Sequence, residues 1–282
     1  MIGQEKLLSR IDNLIAEDKL PRFSIIVGER GMEHEDVARY IAYQYQGADY
    51  IQLPDVKIDT IRKMIKQAYS LHNLTFFCIP HADDMSVNAK NAILKVTEEA
   101  PNKAHIIMCL EDLNNTLATI QSRATVFCMD RCKRDDIENF ALELCVSKSD
   151  KDSDIDEERI KLIGKFCSTP GDVLYFTEHD IKDFQKFVDT VKNEVLTVDG
   201  AEAFKFANKL ALKDDEDKWD LRLFMRALQI SFWDDSNKPD CYYDIVMCIG
   251  KYSQDLRIKG INRQMLIDSM VLEMRKVWKS QK

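Results

Sequence analysis

The residues from Val27 to Ala42 set out the backbone of a phosphate-binding site and then omit its reagents. An apolar run, Phe23 to Val27, leads into Gly28 and Gly31, and an amphipathic segment follows. That is the strand–glycine loop–helix order in which backbone N–H groups cradle phosphate oxygens. The working pattern, G-x-x-x-x-G-K-[ST], places a lysine on the phosphates and a hydroxyl on Mg²⁺. Counted from Gly28, its last three positions are Glu33, His34 and Glu35. Carboxylates at 33 and 35 would repel a triphosphate, and no lysine occurs between Lys19 and Lys57. Such a site also needs an acid at the end of a later strand. After "LTFFCI" the chain offers Pro80 and His81 instead, neither of them the hard oxygen ligand that Mg²⁺ prefers. Asp83 and Asp84 stand a little beyond that strand and read as a solvated, helix-capping loop. His34 and His81 have no positioned partner in the sequence and are not read as catalytic.

The elements that would position these residues follow from hydrophobic spacing. Leu7, Leu8, Ile11, Leu14 and Ile15 have helical spacing, and "FSIIV" is a buried-type strand. A helix over about Glu35 to Gln46, the strand "YIQLP" and the helix "IDTIRKMIKQAYSL" come next. The strand "LTFFCI" is followed by "SVNAKNAILKVTEEAP", a helix capped by Ser86 and stopped before Pro101. "AHIIMCL" and "ATVFCM" complete the strands, with a short helix around Thr116 to Gln121. Continuous apolar strands alternating with helices predict a parallel sheet covered on both faces. After Met129 strand signals stop, "VSKSDKDSDIDEE" reads as a surface loop, and helical patterns dominate from about 181. The expected plan is an α/β domain over 1–130, a small helical domain over 131–180 and a helical domain over 181–282.

With 282 residues, 45% hydrophobic and 31% charged, the chain has material for two or three domains with ordinary cores. No apolar run is long enough to span a bilayer, and "MIGQEKLLSR" lacks the features of a signal peptide. A cytoplasmic protein without membrane partners is expected. The net charge of −8 argues against a stand-alone nucleic-acid binder, since such binding runs on Lys and Arg. Eight cysteines sit mostly in apolar stretches such as "FFCI" and "IIMCL". Only Cys128 and Cys132 are close in sequence, and no second pair completes a zinc site. Reduced structural thiols, with Cys78 and His81 isolated, are the reading.

Beyond these separate signals the chain resembles the AAA+ clamp-loader subunits, and within them the delta-prime type of bacterial DNA polymerase III. "IGQEKLL" is similar to that family's Gly-Gln entry. In "HADDMSVNAKNAILKVTEEAPNKAHIIM", Ala82, Asp83, Met85, Asn91, Ala92, Leu94, Lys95, Glu98, Glu99 and Pro101 stand in register with an A-D-x-M turn and an N-A-L-L-K-x-x-E-E-P helix. "LATIQSRATVF" resembles the family's L-P-T-I-x-S-R-C segment, with Ala118 and Ala124 in place of Pro and Cys. "STPGDVL" resembles the sensor segment G-S-P-G-x-A, and "GINRQMLIDSMVLEM" a last collar helix.

The resemblance implies an AAA+ α/β domain with a helical lid and a C-terminal collar. It implies partners too: clamp-loader ATPase subunits and a delta-type subunit, the sliding clamp indirectly, and primed DNA through the assembled complex. Arg123 becomes an arginine finger acting in trans on a neighbour's ATP, with Ser122 seating its turn. A permanently charged guanidinium suits charge developing on a γ-phosphate; a plain surface salt bridge is the alternative for Arg123. Where relatives carry a sensor arginine after the Pro-Gly, this chain has Asp172, so no bound nucleotide or other cofactor is expected. Many relatives carry a four-cysteine zinc module, but residues 43–77 hold no cysteine, so no zinc is expected either. Two other functions stay open: an atypical self-sufficient ATPase, and an AAA+-fold adaptor outside replication.

Overall fold

The computed structural model describes residues 1–98, 101–148, 156–199, 202, 203, 205, 219–235, 239, 241–256, 258 and 260–280. Glu99, and residues 149–155 of the expected surface loop, lie outside the described residues. Two compact units are present. The first comprises 1–143 with 168–173, and the second 144–167 with 174–282.

The first unit is built on five strands: β1 (Phe23–Val27), β2 (Asp49–Gln52), β3 (Thr75–Ile79), β4 (Ala104–Leu110) and β5 (Thr125–Cys128). All pairings are parallel, in the order β2-β3-β4-β1-β5. Side chains alternate across the sheet. Phe77, Ile79, Ile106, Met108 and Ile25 go to one face, and Phe76, Cys78, Ile107, Cys109 and Ile26 to the other. Both sets are buried, which is why these strands read as unbroken apolar runs. The first face packs with α3 (Ile58–Ala68), α4 (Val87–Glu98) and α5 (Ala118–Gln121). The second packs with α1 (Glu5–Ala16) and α2 (His34–Tyr43). The Ser86 hydroxyl accepts from Ala89 N at 3.2 Å, so the expected cap of α4 is present.

Strand β1 lies between β4 and β5, so the loop after it leaves the carboxyl edge where the strand order reverses, the usual place for a ligand crevice. Gln4 secures the chain entry there, accepting from Asp130 N at 3.0 Å and donating to Asp130 O at 2.7 Å. That pair of bonds gives the Gly-Gln entry a structural reason, since a buried amide must find partners.

Two expectations are corrected. Asp83 is buried rather than solvated: its carboxylate accepts from Glu111 N at 2.7 Å, Asp112 N at 3.1 Å and Asn115 Nδ2 at 3.0 Å. It clips the turn after β3 to the one after β4, because a carboxylate removed from water needs several donors. Nor is Cys78 isolated, since its sulfur lies 3.7 Å from that of Cys109 on the neighbouring strand, both thiols being free.

The second unit is helical: the end of α6 (Arg134–Lys148), α7 (Glu157–Phe166), most of α8 (Pro170–Glu178), α9 (Ile181–Val195), α10 (Leu221–Trp233), α11 (Cys241–Asp255) and α12 (Arg263–Lys279). Asp156, Asp180, Asp220 and Asn262 accept from first-turn amides as N-caps. Phe166, Phe176, Phe184, Phe224 and Phe232 are buried. Arg275 is also buried and donates to Val195 O and Val198 O, both at 2.6 Å, satisfying carbonyls at the end of α9.

Candidate functional site

The loop between β1 and α2 has the place of a phosphate cradle, but its own groups fill it. Gly28 N donates to Leu110 O at 3.1 Å and Met32 N to Glu29 O at 3.2 Å. His34, the first residue of α2, is 7% exposed, and its Nε2 lies 2.9 Å from Gly28 O. The imidazole therefore bonds the loop's own backbone from the position where a lysine would extend toward phosphate. Glu33 takes the pattern's glycine position in a left-handed conformation, φ +45°. Burial, and after it the nearby Asp36, push its carboxyl above the ordinary value.

The second closure comes from Ser168–Asp172. Gly171 N donates to Gly31 O at 2.9 Å, and the two glycines touch backbone to backbone. A Cβ on Gly171 would lie 2.7 Å from Gly31 Cα, and one on Gly31 2.6 Å from Thr169 Oγ1, so only glycine fits either position. Asp172, 1% exposed, accepts from Ser168 N, Ser168 Oγ and Thr169 N at 3.0–3.3 Å, while its own N–H donates to Thr169 Oγ1 at 3.2 Å. This reciprocal capping box, with Pro170 at the first helical position, starts α8. The residue in the expected sensor-arginine position is thus held in a helix cap.

The narrow cleft among Ile2, Met32, Glu33, Met129, Cys132 and Pro170 has no room for even a water molecule, whereas small-molecule sites usually offer ~300–1,000 Å³. Burial, and after it Asp136, Glu33 and other nearby carboxylates, push the Cys132 thiol up to about 11. Pro80 is buried and His81 exposed, with φ +46°. The donor set does not fit a nucleoside triphosphate with Mg²⁺: the loop presents carboxylates, an imidazole bonded to backbone, and no lysine. Among the described residues, no group of three or more His, Cys, Asp or Glu side chains is placed to hold a metal ion.

Ser122 and Arg123 lie elsewhere, at the surface just past α5. Ser122 Oγ donates to Thr119 O at 3.1 Å. Arg123 Nη1 donates to Thr119 O at 2.8 Å and lies 3.4 Å from Ser122 Oγ. Its Nη2 meets Glu98 Oε1 at 2.6 Å, with the two side chains 35% and 52% exposed. The fold brings Ser122 and Arg123 together with Glu98, a residue of the E-E-P helix that had no role by sequence alone. A carboxylate 25 positions away carries no local signal, and only the packing of α4 against α5 makes the pair.

The sheet order and the helices on both faces define the class, the AAA+ fold. The model of the family "DNA polymerase III, delta subunit" matches residues 46–133. DNA polymerase III subunit gamma of Buchnera aphidicola subsp. Schizaphis graminum is 24% identical over 209 residues, 64% of this chain and 57% of that protein. Replication factor C small subunit of Sulfolobus acidocaldarius is 23% identical over 185 residues, 61% of this chain and 55% of that protein. The chain thus spans a little over half the length of these curated relatives. Among solved structures, the Thermotoga maritima RuvB Holliday junction branch migration motor superposes with a TM-score of 0.51 at 13% identity, covering 95% of this chain and 82% of that one, a likeness of fold alone. The sequence likenesses are thus to clamp-loader subunits, over residues 46–133 in the family model and a little over 60% of the chain in the relatives. No helix among the described residues is long and apolar enough to cross a membrane.

Proposed function

We propose that this chain is the non-hydrolysing stator of a clamp loader, of the delta-prime kind. It serves DNA replication in the cytoplasm and supplies Arg123 to the ATP of a neighbouring subunit. One observation carries the reading: the cradle between β1 and α2 is closed by its own groups, His34 on Gly28 and Gly171 on Gly31, while Arg123 stays at the surface. A subunit so built gains nothing from binding nucleotide itself, yet can present a guanidinium to a phosphoryl group from another chain. Its partners in this reading are the complex's ATPase subunits and a delta-type subunit, with the sliding clamp and primed DNA reached through the assembly. In the same reading the first unit is the AAA+ domain, and the helices beyond it form a lid, about 131–180, and a collar, about 181–282.

Physically the finger acts by electrostatics. Placed beside a γ-phosphate in a site that excludes water, a fixed guanidinium stabilises charge growing in the transition state, an effect worth ~10³–10⁵ in rate in GTPases. Ser122, bonded to Thr119 O, holds the turn that carries it. The Glu98 pair favours a second reading, in which Arg123 is only a surface ion pair worth ~0–1 kcal/mol. Steady-state ATPase assays of the complex, purified through a tag on this chain, separate the two. Arg123→Ala is expected to remove the hydrolysis contributed by the neighbouring site with assembly intact; an unchanged rate supports the ion pair alone. Calorimetric titration of the isolated chain with ATP and Mg²⁺ should give no binding heat, and a measurable affinity would overturn the non-hydrolysing assignment.

A further inference from the structure

The pair that speaks against Arg123 as a free finger also suggests how a finger is kept until it is needed. Arg123 follows α5 and Glu98 ends α4 as described, and the two meet at 2.6 Å while both remain in contact with water. We propose that Glu98 is a positioning residue for Arg123: it holds the guanidinium in the free chain and yields it to the phosphoryl anion of a nucleoside triphosphate bound by a neighbouring subunit. This rests on the reading of Arg123 as an in-trans finger.

Exchange is favoured over sharing. A carboxylate and a polyphosphate within a few ångströms of one guanidinium repel each other, so the more highly charged anion displaces the weaker one. The exchange is cheap because a water-exposed ion pair contributes little to stability. It also leaves the group seated. Nη1 stays on Thr119 O at 2.8 Å while the Nη2 bonded to Glu98 is released, and a guanidinium has five N–H donors to divide between a carbonyl and an anion. In the free chain the neutralised arginine makes a poorer target for stray nucleic-acid phosphates.

The test is a set of variants in the purified complex, assayed with ATP: Glu98→Gln, Glu98→Asp, Arg123→Ala, and Arg123→Ala with Glu98→Gln. With the competing charge removed, Glu98→Gln should lower KM about two- to fivefold at unchanged kcat, the size expected of an exposed pair, and added salt should shrink the difference. Glu98→Asp, which keeps the charge, should restore the wild-type KM. In the Arg123→Ala background Glu98→Gln should change nothing, because its effect runs through the guanidinium. The holding role is overturned if Glu98→Gln raises KM, leaves it unchanged or lowers kcat, or if its effect persists without Arg123. The outcomes separate the two ideas. Loss of hydrolysis in Arg123→Ala with no KM change in Glu98→Gln removes the holding role alone, whereas an unaffected Arg123→Ala removes the finger itself.

Discussion

Two turns at the edges of one parallel sheet have gone opposite ways. The turn after β1 is closed: an imidazole bonds its backbone, a capped helix start presses glycine on glycine, and Glu33 with mostly apolar neighbours lines what space remains. The turn after α5 is open, its arginine resting on one carbonyl and one carboxylate at the surface. A ligand site can be lost by packing, because buried space without a ligand fills with side chains that then stabilise the fold. A group that acts on another molecule must stay in water until that molecule arrives. Function should therefore respond to the open turn and stability to the closed one.

The sharpest test is Arg123→Ala, expected to cut hydrolysis at the neighbouring subunit's site ~10³-fold or more while leaving thermal unfolding of this chain almost unchanged. A large fall in melting temperature with normal turnover would reverse the comparison. Next is Gly171→Val, which drives a branched side chain into Gly31 and should cost about 1–3 kcal/mol in denaturant unfolding. Once the complex is assembled, turnover should hold. Smaller still is His34→Ala, which leaves Gly28 O without its imidazole and should cost about 1 kcal/mol. His34→Lys should not create ATP affinity by calorimetry, since Glu33, Glu35 and the glycine contact remain.

The smallest effect is one of pH. Burial raises the Glu33 carboxyl in the folded chain, so between its unfolded and folded values the folded state holds more protons. Stability from this group is present below the ordinary carboxylate value and is lost as pH rises through the raised one. Glu33→Gln should accordingly raise the melting temperature at pH 7 and give no gain near pH 3. An equal gain at both would show that the substitution acts through contacts common to both forms of the carboxyl, and not through its charge.

Much of this was legible in the sequence. The mostly apolar runs of β1, β3 and β4 announced strands because both sheet faces are covered there, and Ser86 announced its helix because a cap must directly precede the first turn. Glu33, His34 and Glu35 already declared a cradle without its reagents. Asp83 was misread because loop carboxylates look alike in sequence. Whether one is solvated or bonded to the amides of Glu111 and Asp112 depends on a turn that begins 28 residues later. Asp172 read as a charge facing a ligand and proved to be a helix cap.

By itself the sequence determined the strand–helix alternation and the missing lysine and metal ligands, since residue type and short-range periodicity suffice for both. Tertiary structure alone decided that His34 turns back onto Gly28, that Gly31 and Gly171 close on each other 140 positions apart, and that Glu98 meets Arg123. Such contacts join segments distant in the chain, and only burial of the shared core brings them within bonding distance.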